Sequence, residues 1–501
     1  MPKDYTDQTP KFTPQNMDSA PANTAPLGIF PDKEQKARIS NYRYYENLFF
    51  GRHFDAFNIR VGSDDFNKAY GVLRYVSVNF AGMISKICAD MLFSEPVAVR
   101  LDDEKAQEYV DALWDDNNLD TQLYESALGN SYNGDALIKV RVGKRHPNDK
   151  KSSVIIEDIT PSIYFPNLDP FNVRAMPLSQ DLAWVIDQDK KRYLRKETHT
   201  PGLIVNKVYL MEGDKIVSEV SDSTIGLSLK PEEPTKIDRS LLIHVPNWKT
   251  SGQYFGTSDY NDLESLFFAI NNRMTKTDNI LDAHSDPILM VPPGILNEKG
   301  QFRKKDHRVI ELGEGEDGKP EYVVWDASLE NAFKEIDKLV EFVFMIGEVS
   351  PDALGMGKGG TAESGRALKY KLMRTIAKVQ RKKMYYNTAI REAVLVAQQM
   401  GIAWGIEVDG IKPPAKAERP TLTFADGVPI DESEQIETEG KAIDAGIQSK
   451  KNAIMKVYGL DEAEAEDKAK EIKEDGAIEM PVANTTKDLL NSKNTPKPPI
   501  K

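Results

Sequence analysis

The chain has 501 residues, a formal net charge of −13 at pH 7 and 40% hydrophobic residues. That length is more than one core organises and implies three or four structural regions at roughly 150 residues each, while the acidic balance excludes a protein that coats nucleic acid by summed phosphate neutralisation, though not one past which DNA slides. One cysteine, Cys88, excludes an intrachain disulfide framework and a cysteine-rich zinc site, and is expected in a core.

No apolar run exceeds five residues and the stretch MPKDYTDQTPKF lacks a signal-peptide core, so a cytoplasmic protein with no membrane span is expected. Residues 1–35 carry Pro2, Pro10, Pro14, Pro21, Pro26 and Pro31 among polar residues and read as an unstructured arm. Apolar positions at Val78, Met83, Ile87 and Met91 predict a helix that ends near Ser94, because Pro96 disfavours helical geometry at Glu95. A second helix is predicted over 104–129. Alternation then predicts strands over 134–143, 153–158, 182–187, 203–211 and 241–245, so helices precede an antiparallel sheet.

The middle of the chain changes character. With Ser258 or Asp259 as N-cap, Leu263, Phe267, Ile270, Met274 and Leu281 predict an amphipathic helix over 257–282, about 39 Å long. A small segment, 286–325, with strand-like ILMV and YVVW brackets the basic run RKKDHR (Arg303, Lys304, Lys305, Arg308). Leu329, Phe333, Ile336, Val340 and Val343 then predict a returning helix. After a glycine-rich stretch comes a third long helix, 363–400. It has no acidic residue between Glu363 and Glu392 but carries Arg366, Lys369, Lys371, Arg374, Lys378, Arg381, Lys382, Lys383 and Arg391, a concentration that calls for a partner. Residues 431–480 are the reverse, with 15 Asp and Glu against 7 Lys, and suggest short helices at SKKNAIMKVYGL and DEAEAEDKAKEIKE before a disordered tail.

The stretch ALGMGKGGTAESG (353–365) satisfies G-x-G-x-x-G at Gly355, Gly357 and Gly360, yet it departs from a phosphate loop. Lys358 is followed by Gly359 instead of Ser or Thr, and a helix rather than a buried strand precedes it. A flexible connector is the plainer reading. The six histidines are scattered, no G-x-S-x-G occurs, and acidic pairs such as Asp102-Asp103 read as solvated faces; no cofactor, metal or catalytic set is predicted. A nucleotide-binding enzyme that uses the Gly355–Gly360 loop is the alternative.

The order of elements resembles the portal proteins of tailed double-stranded DNA phages over roughly residues 40–475. The resemblance is carried by NFAGMISKICADMLFSEPVAV, YFGTSDYNDLESLFFAINNRMTKTDNILDAHSDPILMVPPG, the Ser364–Lys369 run opening the basic helix, and LTFADGVPIDESEQ followed by DAGIQSK. It implies an α+β ring subunit, usually one of twelve. In that family's terms the arm is 1–35 and a mixed wing spans 36–256. Stem helices would occupy 257–284 and 326–349, on either side of a clip at 285–325. A tunnel loop at 350–365 (Gly355, Gly357, Lys358, Gly359, Gly360 and Thr361) would face DNA. The long wing helix and closing strand would be 366–428, the crown 429–480 and the tail 481–501. Arg366, Lys369, Lys371 and Arg374 would face a neighbouring subunit or DNA, and the clip cations a packaging partner. The implied partners are further copies of the chain, double-stranded DNA, terminase, major capsid and scaffolding proteins, and neck or adaptor proteins. The implied locations are the virion vertex and, during assembly, the host cytoplasm.

Overall fold

The computed structural model describes residues 28–58, 75–146, 148–172, 174–285, 288–291, 309–311, 321–323, 329–355, 365–425, 432–460 and 462–474. They fall into two compact units, one running to Gly359 and again from Tyr370 to Gly427, the other comprising Gly360–Lys369 and Val428 onward.

In the first unit the chain is ordered earlier than its proline content suggests. Residues 28–30 lie along a strand edge, with an Ile29–Lys215 bridge, and α1 (Lys33–Phe49) starts in a reciprocal cap between Asp32 and Gln35. A single turn, α2 (His53–Ala56), precedes α3 (Phe80–Phe93), which Asn79 caps and Ser94 ends, as the sequence predicts. After β1 (Ala98–Arg100) come α4 (Glu104–Asp116) and α5 (Leu119–Asn133), where the sequence suggested one helix. The break falls at Asn118, which adopts φ +49, a region that Asn tolerates better than most residues.

The strands build two main antiparallel sheets. β2 (Asp135–Gly143) and β3 (Ser153–Ile159) pair with Leu137 opposite Ile159. A six-stranded sheet follows, formed by β4 (Tyr164–Asn167), β5 (Ser179–Gln188), β6 (Lys191–Thr200), β7 (Leu203–Glu212), β8 (Lys215–Val220) and, paired with β7, β9 (Glu232–Pro234). β10 (Leu242–Pro246) returns to β2, placing Leu242 opposite Lys139. β2 is buried on both faces over its first six residues. Its Leu137 joins Tyr164, Leu182, Leu242 and Tyr254 in a core cluster. β6 and β8 escape sequence reading because KRYLRKETHT and KIVSEV are too polar to alternate clearly.

Helix α6 (Glu264–Ser285) starts seven residues later than predicted, since residues 257–259 are held in a buried polar network instead of a helical cap. Short strands β11 (Ile288–Val291), β12 (Val309–Glu311) and β13 (Glu321–Val323) pair with one another, and α7 (Leu329–Ile346) packs back on α6 with Arg273 Nε 2.9 Å from Glu335. Leu263, Phe267, Ile270, Ile336 and Val343 are buried as predicted, but Leu281 and Phe333 are 46% and 45% exposed. The 40-residue α8 (Gly365–Trp404), which belongs to this unit from Tyr370 onward, and β14 (Thr421–Thr423), which pairs with β1, complete the unit.

The second unit contains α9 (Glu432–Asp444), which the sequence reading missed, with α10 (Lys450–Tyr458) and α11 (Glu462–Glu474) where it placed helices. α10 runs from a Ser449 cap to Gly459 at φ +67, and ion pairs Lys451–Glu466 and Lys456–Glu439 tie it to its neighbours.

Candidate functional site

The polar centre of the first unit is built where the connector between β10 and α6 crosses the end of α5. The backbones approach so closely that a Cβ on Gly256 would stand 2.0 Å from the Gly134 carbonyl oxygen, and one on Gly134, at φ +88, 2.7 Å from the Ser258 nitrogen. Gly256 N–H donates to Asp135 at 2.7 Å, and Asp135 also takes the Tyr42 hydroxyl at 2.6 Å and meets His244 Nε2 at 2.7 Å.

This crossing carries Asp259 into the interior. Its carboxylate accepts from Lys382 Nζ at 2.6 Å, Ser131 Oγ at 2.6 Å and Asn247 Nδ2 at 3.0 Å, and lies 3.3 Å from Lys378 Nζ. Burial alone would raise the carboxyl, but the charges of Lys378 and Lys382 outweigh it and hold Asp259 well below the usual carboxylate range. Burial disfavours the Lys378 ammonium in turn, yet Asp259 more than compensates and its pKa is raised. Lys378 also donates to the Gly347 carbonyl at 2.8 Å and Lys382 to Asn247. One charge cluster therefore fastens α5, the β10–α6 connector, the C-terminal end of α7 and the middle of α8. Cys88 is buried nearby, and burial pushes its thiol up, as expected of a core cysteine.

Most of the positive charge on α8 is spent inside the chain. Lys383 donates to the Ala425 carbonyl at 2.5 Å and Arg391 to that of Pro420 at 2.9 Å. Arg374 lies 2.7 Å from Glu348, which also takes Arg381, and Lys371 lies 3.3 Å from Asp352. The partner that the acid-free run demanded is thus largely the segment 347–352 together with Asp259. Among the residues singled out beforehand, Lys369 is exposed and Arg366 lies on the helical backbone of α8.

Segment 347–355 is built to stop a helix and turn. Glu348 adopts φ +55, Ser350 N–H donates to buried Thr375 Oγ1 at 2.8 Å, and Ser350 Oγ caps a 3-10 turn, Pro351–Leu354, that ends at Gly355 with φ +68. The chain therefore enters the glycine-rich stretch from a helix and a 3-10 turn, which is not the strand–loop–helix setting of a phosphate loop. Of the two flanks of that stretch, one is the start of α8 and the other is held against Lys371, Arg374 and Thr375 of that helix. Gly357, Lys358, Gly359, Gly360 and Thr361 lie outside the described residues, as do Arg303, Lys304, Lys305 and Arg308. Among the described residues no group of His, Cys, Asp and Glu has the makings of a metal site, and no helix is long and apolar enough to cross a membrane.

A family model described as "Phage portal protein, SPP1 Gp6-like" matches residues 32–170 and 185–477, nearly the whole chain. The chain belongs to the phage portal protein family.

Three solved structures are similar to the portal chain. One is the neck of an empty GTA particle computed with C6 symmetry, at 12% identity over 80% of this chain and 95% of that one, TM-score 0.40. Another is the neck of a native GTA particle computed with C12 symmetry, at 11% identity over 79% and 99%, TM-score 0.41. The third is the virion of a native gene transfer agent particle, at 12% identity over 83% and 99%, TM-score 0.38. No curated protein matches. The assignment rests on the family model, and with it the function is that of a portal; nothing supports the enzyme alternative at Gly355–Gly360.

Sequence reasoning missed the buried centre of this portal chain. Asp259 reads as a helix cap, and Ser131 and Asn247 carry no motif. The available signal was Lys378 and Lys382, one helical turn apart in a helical run with no carboxylate before Glu392.

Proposed function

We propose that twelve copies of this chain form a ring at one vertex of a phage head, the conduit through which double-stranded DNA is packaged and later ejected. The observation that carries the reading is the family match over nearly the full chain. On this reading α6 and α7 with their flanks are the stem, the small strands between them the clip, 36–256 and most of α8 the wing, and the second unit the crown. Residues 350–365 are the tunnel loop, held at both flanks on α8. Apolar side chains left exposed on the helices, Met345 and Ile346 on α7 and Tyr370, Met373 and Met384 on α8, suit a ring in which each subunit is covered by the next.

Lys358 then offers one positive charge per subunit, a ring of weak phosphate contacts among glycines that present no side chain. Stronger neutralisation would brake a moving duplex, because each contact adds salt-dependent affinity that translocation must break. Exposed Lys369 and the clip cations Arg303, Lys304, Lys305 and Arg308 are assigned to neighbouring subunits, DNA or the terminase motor. Capsid, scaffolding and neck proteins are the remaining partners, and the virion vertex, after assembly in the host cytoplasm, is the location. Negative-stain microscopy with mass photometry tests this: rings with a central hole and a mass near a dozen times 56.2 kDa are expected. A stable monomer in the presence of head-assembly partners would refute the reading.

A further inference from the structure

A cleft of about 970 Å³ opens in the first unit between β6 and β7, the outer half of β2 and the C-terminal end of α8. Alternation along β6 turns Arg195, Glu197 and His199 to one face. Glu197, at the floor, takes Lys139 and lies 2.6 Å from His199 Nε2. Burial would raise its carboxyl, but His199 and Lys139 hold it at about 2, so the floor carboxylate is ionised and its charge is matched by Lys139. Elsewhere on the wall, Arg141 is spent on Glu157 at 2.8 and 3.2 Å, and Glu233 accepts from Asn206 at 3.0 Å.

Two cations of the lining, Lys151 and Lys230, remain uncommitted, and a third, Arg195, is only weakly engaged. The Arg195 guanidinium lies over the Trp184 ring at 4.9 Å and reaches Glu197 only at 3.5 Å, and its Nε is buried with no hydrogen-bond partner. Lys151 and Lys230 are exposed at the mouth, and among the described residues neither ammonium has an ion pair or hydrogen bond. Against them stand Glu233, bonded to the neutral amide of Asn206, and exposed Glu407. In a chain of net charge −13, a cleft lined by five Lys and Arg side chains against three Glu is a place that favours an anion.

We propose that this cleft binds a phosphate-type oxyanion, with Arg195 as the fixed donor at its wall and Lys151 and Lys230 reaching over it. A carboxylate is planar and is best met by one guanidinium fork. Here the donors come from three separate elements around the space, which suits a tetrahedral, doubly charged group. The phosphate is either free or carried by nucleic acid.

The test uses the full chain and does not depend on ring formation. Inorganic phosphate is titrated by calorimetry at constant ionic strength with chloride as control, and a short labelled DNA duplex by fluorescence anisotropy. Saturable phosphate binding is expected, weakened about tenfold or more in the Lys151→Ala/Lys230→Ala double variant, whose changes touch only exposed side chains, and in Arg195→Gln. If duplex binding falls in the same variants, nucleic acid carries the phosphate; if duplex binding is unchanged while phosphate binding is lost, the ligand is free phosphate. No saturable phosphate binding by the parent chain, or equal affinity in the double variant, overturns the proposal.

Discussion

Lys382 Nζ stands 2.6 Å from Asp259 Oδ2, and neither side chain is more than 3% exposed. A pair this buried is weak evidence of net stabilisation, since desolvation offsets the attraction, but breaking it is costly. Asp259→Ala strands two buried ammoniums, those of Lys378 and Lys382, and should destabilise by about 3–5 kcal/mol. Lys382→Met leaves the carboxylate with Lys378, Ser131 and Asn247 and should cost less. Thermal unfolding of both variants decides the matter: a midpoint drop for Lys382→Met as large as that for Asp259→Ala would contradict the assignment of Asp259 as the shared counter-charge.

Acid should weaken the first unit through Glu197 and His199 together. Glu197 has a folded pKa of about 2, below its ordinary 4.5. Its contribution is therefore complete above about 4.5 and lost as the pH falls toward 2. Burial lowers His199 despite Glu197 beside it, so the folded state also resists taking that proton, and stability declines as the pH drops below 6.5. Both act in one direction. For Glu197 the loss is on the order of 3 kcal/mol. Denaturant midpoints from pH 7 to 3 should fall, and Glu197→Gln should flatten the part below about 4.5.

Long amphipathic elements were legible because their cores are local: Phe267 and Ile270 on α6, or Ile336 and Val343 on α7, announce themselves by spacing alone. The order of elements, and with it the family, was legible too. What could not be read was any interaction whose partners are far apart in sequence. Asp259 meets Lys382 across 123 positions and Ser131 across 128, so the sequence shows a capping-type Asp and a surplus of lysine, not a pair. The break between α4 and α5 was missed for the same reason, since Asn117 is turned toward a strand nearly forty residues on.

That strand, β3, has an edge closed by side-chain amides. Asn117 Oδ1 accepts from Ile156 N–H at 2.9 Å and its Nδ2 donates to Val154 O at 3.2 Å, while Gln122 takes Asp158 N–H at 3.0 Å and donates to Ile156 O at 3.0 Å. Two side chains thus supply the pairing a further strand would give, which blunts an exposed edge. Asn117→Ala, at a fully buried site, should cost about 1–3 kcal/mol and speed hydrogen exchange at the Ile156 amide, whereas Gln122→Ala should speed it at Asp158. Unchanged protection at both amides would show that the edge is covered by something else.

Lys358 separates assembly from transport. If the glycine-rich loop touches passing DNA and takes no part in subunit contacts, Lys358→Ala should form rings of parental mass and alter packaging or DNA retention in a head-filling assay. Failure of the variant to form rings would make the loop an assembly element instead.

Glu348 holds the near flank of that loop to α8 through Arg374 and Arg381, in a conformation, φ +55, that glycine adopts more readily than glutamate. The two arginines are 70% and 46% exposed, so each pair is worth only about 0.2–1 kcal/mol. Relief of the positive φ in Glu348→Gly offsets a similar amount. Global stability of Glu348→Gly should therefore stay within about 1 kcal/mol of the parent, while the flank is left with Asp352–Lys371 and the Ser350–Thr375 bond as its ties to α8. Trypsin should then cut at Lys358 severalfold faster than in the parent chain, with thermal midpoints nearly equal. Equal cutting rates would mean that the Ser350 and Asp352 contacts hold the flank by themselves, and that Glu348 is not the clamp.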